Sequence, residues 1–111
     1  MYTKFSTALV FDLSFLLFSV PPYFLTKPSD KAVVRGSTLR LICIVAGFPM
    51  PHVTWYHDNK LLGNSSRLSL YDNGSLVLYL IDVQDFGQYK CSAKNVAGIR
   101  NAFAKIGRAH V

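Results

Sequence analysis

The chain has 111 residues and a formal charge of +6, from 12 Lys and Arg against six acids that are all aspartate. That length holds one ordinary domain and little else. The cations are dispersed, with no basic run and no Lys/Arg stripe between aromatics, which argues against nucleic-acid binding.

Met1-Tyr-Thr-Lys4 followed by an apolar stretch to Val20 has the layout of a secretory signal. Asp12 interrupts that stretch, and Pro21-Pro22 stand where a small-residue cleavage site belongs. The run is also too short and broken for a membrane span. A second reading is translated intron. Phe, Leu and Ser over residues 11–19 are what a pyrimidine-rich tract encodes, and Phe18-Ser19-Val20 can be written TTT TCA GTT, which contains an acceptor-like TTTCAG. Both readings stand, and both put residues 1–20 outside a domain expected over 21–105.

From Pro22 onward, short alternating segments are separated by turn residues, the pattern of an all-β sandwich. Pro22 to Thr26 is expected on a sheet edge, because prolines cannot donate to an interior ladder. Lys31 to Val34 is expected to continue it. A second strand is expected from Thr38 to Ala46, with Leu39, Leu41, Cys43 and Val45 on one face. Gly47 to Pro51 reads as a stiff loop. Val53 and Trp55 then point inward while Thr54 and Tyr56 face out. Asp58-Asn59-Lys60 is a turn, Arg67 to Leu70 a short strand, and Asp72-Asn73-Gly74 the strongest hairpin signal. Leu76 and Leu78 face inward with Ile81 below them. Gln88 to Lys94 and Ile99 to Lys105 complete the set, with helix limited to one short turn.

Within this frame Cys43 and Cys91 bracket Trp55, and the second cysteine ends the run Asp85-Phe-Gly87-Gln-Tyr89-Lys-Cys91. This constellation closely resembles the immunoglobulin superfamily over roughly Pro22 to Lys105. Gly47-Phe-Pro49-Met-Pro51 and Cys91-Ser-Ala93-Lys-Asn95-Val-Ala-Gly98 are similar to its I-set, or intermediate, type. The resemblance implies a two-sheet antiparallel immunoglobulin-like sandwich with one inter-sheet disulfide between Cys43 and Cys91. Trp55 would pack on the bridge, and Tyr89 would bond back to the preceding turn. Asp85 and Gly87 complete the core signature, and Asp85 is expected to pair with Arg67. A reduced pair of buried cysteines is the alternative, as in cytosolic muscle relatives.

The end of the chain has its own reading. Ile106-Gly-Arg-Ala-His-Val111 is what the sequencing adapter ATC GGA AGA GCA CAC GTC encodes, and the adapter's next codon is a stop. Residues 106–111 are therefore expected to be adapter read-through that adds little to the core. The last strand would be cut short at Lys105, with the gene product continuing beyond it.

No catalytic, cofactor or metal arrangement emerges. His52 and His57 lie five apart on a strand, hence on opposite faces, and both are expected at the surface; His110 lies in the tail. Asp85 has no base or nucleophile at a catalytic spacing. Asn64-Ser-Ser66 and Asn73-Gly-Ser75 are N-glycosylation sequons in expected loops, Asn64 the better candidate because Asn73 also serves a turn. Tyr56, Tyr71 and Tyr79 point away from the core, and Phe48 and Met50 crown the loop at one end. Aromatics and Met are enriched at protein interfaces, but a neighbouring domain in an array would cover them equally well. The resemblance thus implies a non-catalytic module that binds a protein partner or neighbouring immunoglobulin domains in adhesion, guidance or matrix assembly at the cell surface. A weak sulfated-glycan contact through the positive surface stays open. The alternatives are a structural repeat of a cytosolic muscle giant, or the appended domain of a receptor kinase or matrix enzyme.

Overall fold

Apolar side chains at every second position give each short strand one face that water must leave. The computed structural model describes residues 18–109, in which two stacked layers meet that demand. One layer is a five-stranded sheet in the order β2 (Lys31–Val33), β10 (Gly98–Arg108), β9 (Gly87–Asn95), β5 (His52–His57), β6 (Lys60–Leu61). The other holds β3 (Leu39–Leu41) paired with β8 (Leu76–Leu78) and β7 (Leu68–Leu70), plus β1 (Val20–Thr26) paired with β4 (Ile44–Phe48). A single 3-10 turn, Val83–Asp85, precedes β9. Between the layers lie Leu39, Leu41, Trp55, Leu76, Ile81, Tyr89 and the Cys43–Cys91 disulfide, whose Cα atoms are 6.5 Å apart. The sandwich is the all-β, immunoglobulin-like one that the resemblance implies.

Several local expectations need correction. Lys31–Val33 does not continue β1. It crosses to the other layer and pairs parallel with β10, so the sheets are not wholly antiparallel. The strand expected from Thr38 to Ala46 is split, because the β8 ladder ends at Leu76 opposite Leu41 and the chain then takes β1 as its partner. Of the two turns, only Asp58-Asn59 puts both central residues at positive φ (46° and 70°), giving the tight primed turn between β5 and β6. In the Asp72–Gly74 turn only Gly74 does so. There the glycine is required twice over, since a Cβ would meet the Cys43 carbonyl oxygen at 2.1 Å.

The ends of the domain also differ from expectation. Val20 already belongs to β1, opposite Phe48, so ordered pairing starts before residue 21. The signal-like or intron-like reading of the preceding residues falls outside the described residues, apart from 18–20. At the other end β10 runs on to Arg108, and Ile106 is 3% exposed, packed into the core and paired with both Gly87 and Lys31. The expectation that residues 106–111 add little to the core fails at Ile106. Its alternation with Ala102 and Ala104 supplies an apolar side chain at the next inward position, whatever the origin of the codon.

Candidate functional site

Trp55 stands opposite Cys91 in the β5–β9 register, and its indole Nε1 donates to the Gly74 carbonyl at 2.9 Å. Burial would otherwise strand that N–H, so the hairpin tip is drawn onto the core. Tyr89 lies on the inward face of β9, two positions before Cys91, and its hydroxyl donates to the Asp85 carbonyl at 2.7 Å. Burial pushes its phenol far above the ordinary range, with the charges of Asp85 and Asp58 adding to the effect and Arg67 opposing it.

Asp85 joins two parts of the chain. One carboxylate oxygen accepts from Arg67 Nη2 at 2.6 Å and from the Asp82 amide at 2.8 Å, closing a capping box around the 3-10 turn. Asp82 in turn accepts from the Val83 amide at 2.8 Å and lies 3.0 Å from Arg35 Nε. This network ties β7 to the turn before β9, and Arg67 Nε is its one buried polar atom without a protein partner. Its pairings are structural, and nothing here is set up as a nucleophile or base.

His57 departs from the surface position expected for it. It shares the inward parity of Val53 and Trp55, stacks on Tyr89 at 4.5 Å between centroids, and donates from Nε2 to the Phe86 carbonyl at 2.9 Å. The parity was readable; the polar ring concealed it. His52 is exposed, and His110 lies outside the described residues. Asp58, which no motif marked, accepts from the Gln88 amide at 2.9 Å. Gly87 beside it has a φ of 136°, in the region that favours glycine, and a Cβ there would also come within 2.6 Å of the Asp58 carboxylate. Asn95 lies in the run that resembles the I-set type, but nothing in that run marks its role. Its Nδ2 donates to the carbonyls of Val20 at 2.7 Å and Pro49 at 2.9 Å, holding β1 and the Phe48–Pro51 loop against the end of β9.

Both sequon asparagines are exposed and line one groove of about 630 Å3, floored by Val53 and Trp55. Asn64 Oδ1 accepts from the Leu70 amide and Asn73 Oδ1 from the Ser75 amide. Ser75, the hydroxyl residue of the second sequon, is buried, whereas Ser66 of the first is exposed. The three outward tyrosines do not form one surface. Tyr56 lies on the five-stranded sheet with Lys90 Nζ 4.4 Å from its ring centroid, while Tyr71 and Tyr79 flank β7 and β8 in the other layer. Phe48 and Met50 are exposed near one end. Among the described residues no group of three His, Cys, Asp or Glu side chains could hold a metal ion, and no helix is long and apolar enough to cross a membrane.

Two cystine-linked layers with a buried Trp, a tyrosine bonded back to its turn and an Arg–Asp pair below define an immunoglobulin-type domain. The family described as "Immunoglobulin domain" matches residues 21–95, and the chain belongs to it. It is 35% identical over 92 residues to Protein sidekick-1 of Gallus gallus, covering 79% of this chain and 4% of that protein. It is 41% identical over 94 residues to the striated muscle preferentially expressed protein kinase of Danio rerio, covering 82% of this chain and 3% of that one. The structure resembles an immunoglobulin domain in the crystal structure of the titin M10–obscurin-like 1 Ig complex, with a TM-score of 0.76 and 36% identity over 81% of this chain and 95% of that chain. The chain therefore spans only a few per cent of the length of these curated relatives.

Proposed function

We propose that this chain is a non-catalytic protein-binding immunoglobulin repeat of a larger extracellular or cell-surface protein, acting in cell adhesion, axon guidance or matrix assembly. The Cys43–Cys91 disulfide carries the reading, because such bridges persist in oxidising compartments and are rare in the cytosol. Likeness to sidekick-1 and the exposure of Asn64 and Asn73 support it. The module works without turnover: a bridge-pinned sandwich holds its sheet faces and end loops rigid, so little ordering entropy is lost when a partner docks.

The test is mass spectrometry of the native protein, alkylated before lysis. A bridged Cys43–Cys91 peptide, with Asn64 converted to Asp on enzymatic glycan release, supports the extracellular reading. Two alkylated thiols and an unmodified Asn64 overturn it. That result favours the second reading, a structural repeat of an intracellular giant muscle protein, for which the identity to the muscle kinase speaks. An appended domain of a receptor kinase or matrix enzyme is the third reading, and the full-length transcript decides it by the presence or absence of a catalytic domain.

A further inference from the structure

The three central strands of the larger sheet contain no acid at all, and their outward positions carry Lys90, Lys94 and Lys105. Acids at the borders of this sheet are turned to the backbone: Asp30 accepts from the Lys105 amide at 2.7 Å, and Asp58 from that of Gln88. The outward side chains fall into rows across the strands. One row runs Leu61, Tyr56, Lys90, Phe103, each directly opposite the next. Another runs His52, Lys94, Ile99. Between them lies a row of short uncharged polar residues, Thr54, Ser92 and Asn101.

Long side chains on both sides of short ones make a trough, and a shallow pocket of about 580 Å3 opens there, lined in part by Thr54, Tyr56, Ser92 and Lys94. Rows two residues apart along a strand are separated by roughly 7 Å, so the two ridges stand about 14 Å apart with the trough between them. That width admits one extended peptide running across the strands. Leu61, Phe103 and Ile99 are 66%, 52% and 51% exposed, so the cations stand among uncovered apolar groups. A sulfated chain would leave those groups wet, whereas a peptide carrying both carboxylates and apolar side chains would cover them. Neither sequon lies on these strands, so glycans would leave the face bare.

We infer that the outer face of β5, β9 and β10 is a docking surface for an acidic, extended segment of a protein partner, seated along the Thr54–Ser92–Asn101 trough with its carboxylates on Lys90 and Lys94. The inference rests on the protein-binding reading above. A second copy of this strongly basic chain is a poor occupant, because the acids among its described residues are already engaged or sit in turns.

The experiment is selection of a random dodecapeptide phage library on the whole immobilised chain, followed by synthesis of the most enriched peptides. Enriched sequences are expected to combine Asp or Glu with bulky apolar residues. Their affinity should fall as salt is raised, and by roughly tenfold or more in Lys90→Glu/Lys94→Glu and in Ser92→Phe, which fills the trough without changing charge. Arg40→Glu, on the other layer, should stay within about twofold. All four positions are outward-facing, and circular dichroism melts check that the variants fold. Acid-poor peptides, or binding indifferent to the Lys and Ser92 variants, overturn the face assignment while leaving the binding-module reading standing. No enriched peptide together with tight binding of a heparin octasaccharide overturns both. Absence of any enrichment overturns the face assignment.

Discussion

The two ends of β9 are held by different means. At the Gly87 end, Arg67 pairs with Asp85 and Arg35 with Asp82, the Asp82 amide donates to Asp85, Tyr89 bonds to the Asp85 carbonyl, and Ile106 closes the core opposite Gly87. At the Asn95 end, one amide side chain reaches two backbone carbonyls, and Phe48, Met50 and Val96 are left exposed. Charge-assisted bonds within half-buried surroundings outweigh neutral bonds at a wet edge. The first end should therefore set the stability of the sandwich. The second leaves Met50 and Val96 open to solvent.

The sharpest way to break this contrast is Asp85→Ala. It leaves Arg67 without its carboxylate and strips the Asp82 amide of its partner, and both losses fall where water is partly excluded. Removing one member of a buried pair costs about 3–5 kcal/mol; because Arg67 keeps some contact with solvent, a loss at the low end, about 3 kcal/mol, is expected. Urea midpoints at neutral pH measure it. A loss below that of Asn95→Ala would reverse the comparison. Next comes Ile106→Ala, at about 2 kcal/mol, from lost burial and the cavity left behind. An unchanged midpoint would mean that the last residues of β10 are dispensable, as the adapter-like codons had suggested.

How far the sequence reaches differs between these ends for physical reasons. Cys43, Trp55 and Cys91 were legible because inward parity and fixed spacing survive any loop geometry. The Arg67–Asp85 pairing came only with family resemblance, since no periodicity links residues 18 apart. His57 could have been placed by its parity with Trp55, but polarity misdirected the reading. The split between β3 and β4 and the parallel pairing of β2 depend on where a partner strand ends, which local sequence does not encode. The partners of Asn95 were hidden for the same reason, as its two carbonyl acceptors lie 75 and 46 residues away. Charge on the outer sheet face was scattered along the chain and became a pattern only through register.

Asn95→Ala probes the other end. It removes two side-chain-to-carbonyl bonds and the bond that Asn95 Oδ1 accepts from the Ala97 amide. Water can replace part of each, so the expected loss is about 1.5 kcal/mol. Hydrogen exchange should localise it, with faster exchange in β1 and the Phe48–Pro51 loop and little change around Asp85. Uniform acceleration throughout the domain would show that the two ends are coupled and differ only in degree.

The smallest effect belongs to Tyr89→Phe, and its value lies in its pH dependence. At neutral pH the variant loses one buried hydroxyl bond, about 1 kcal/mol. The folded state holds the phenol protonated, with a pKa far above the ordinary value near 10, while the unfolded chain ionises at that ordinary value. The folded domain thus binds this proton more tightly than the unfolded chain does. The stability this contributes is complete below about pH 10 and is lost as pH rises beyond it. Phenylalanine has no proton to lose, so the gap between the two proteins should narrow above about pH 10 and then invert. Urea midpoints at a series of pH values from neutral into alkali follow it directly. A gap that stays constant through that range would mean that Tyr89 ionises as freely in the folded domain as in the unfolded chain, and that the packing of the Gly87 end is looser than its bond lengths imply.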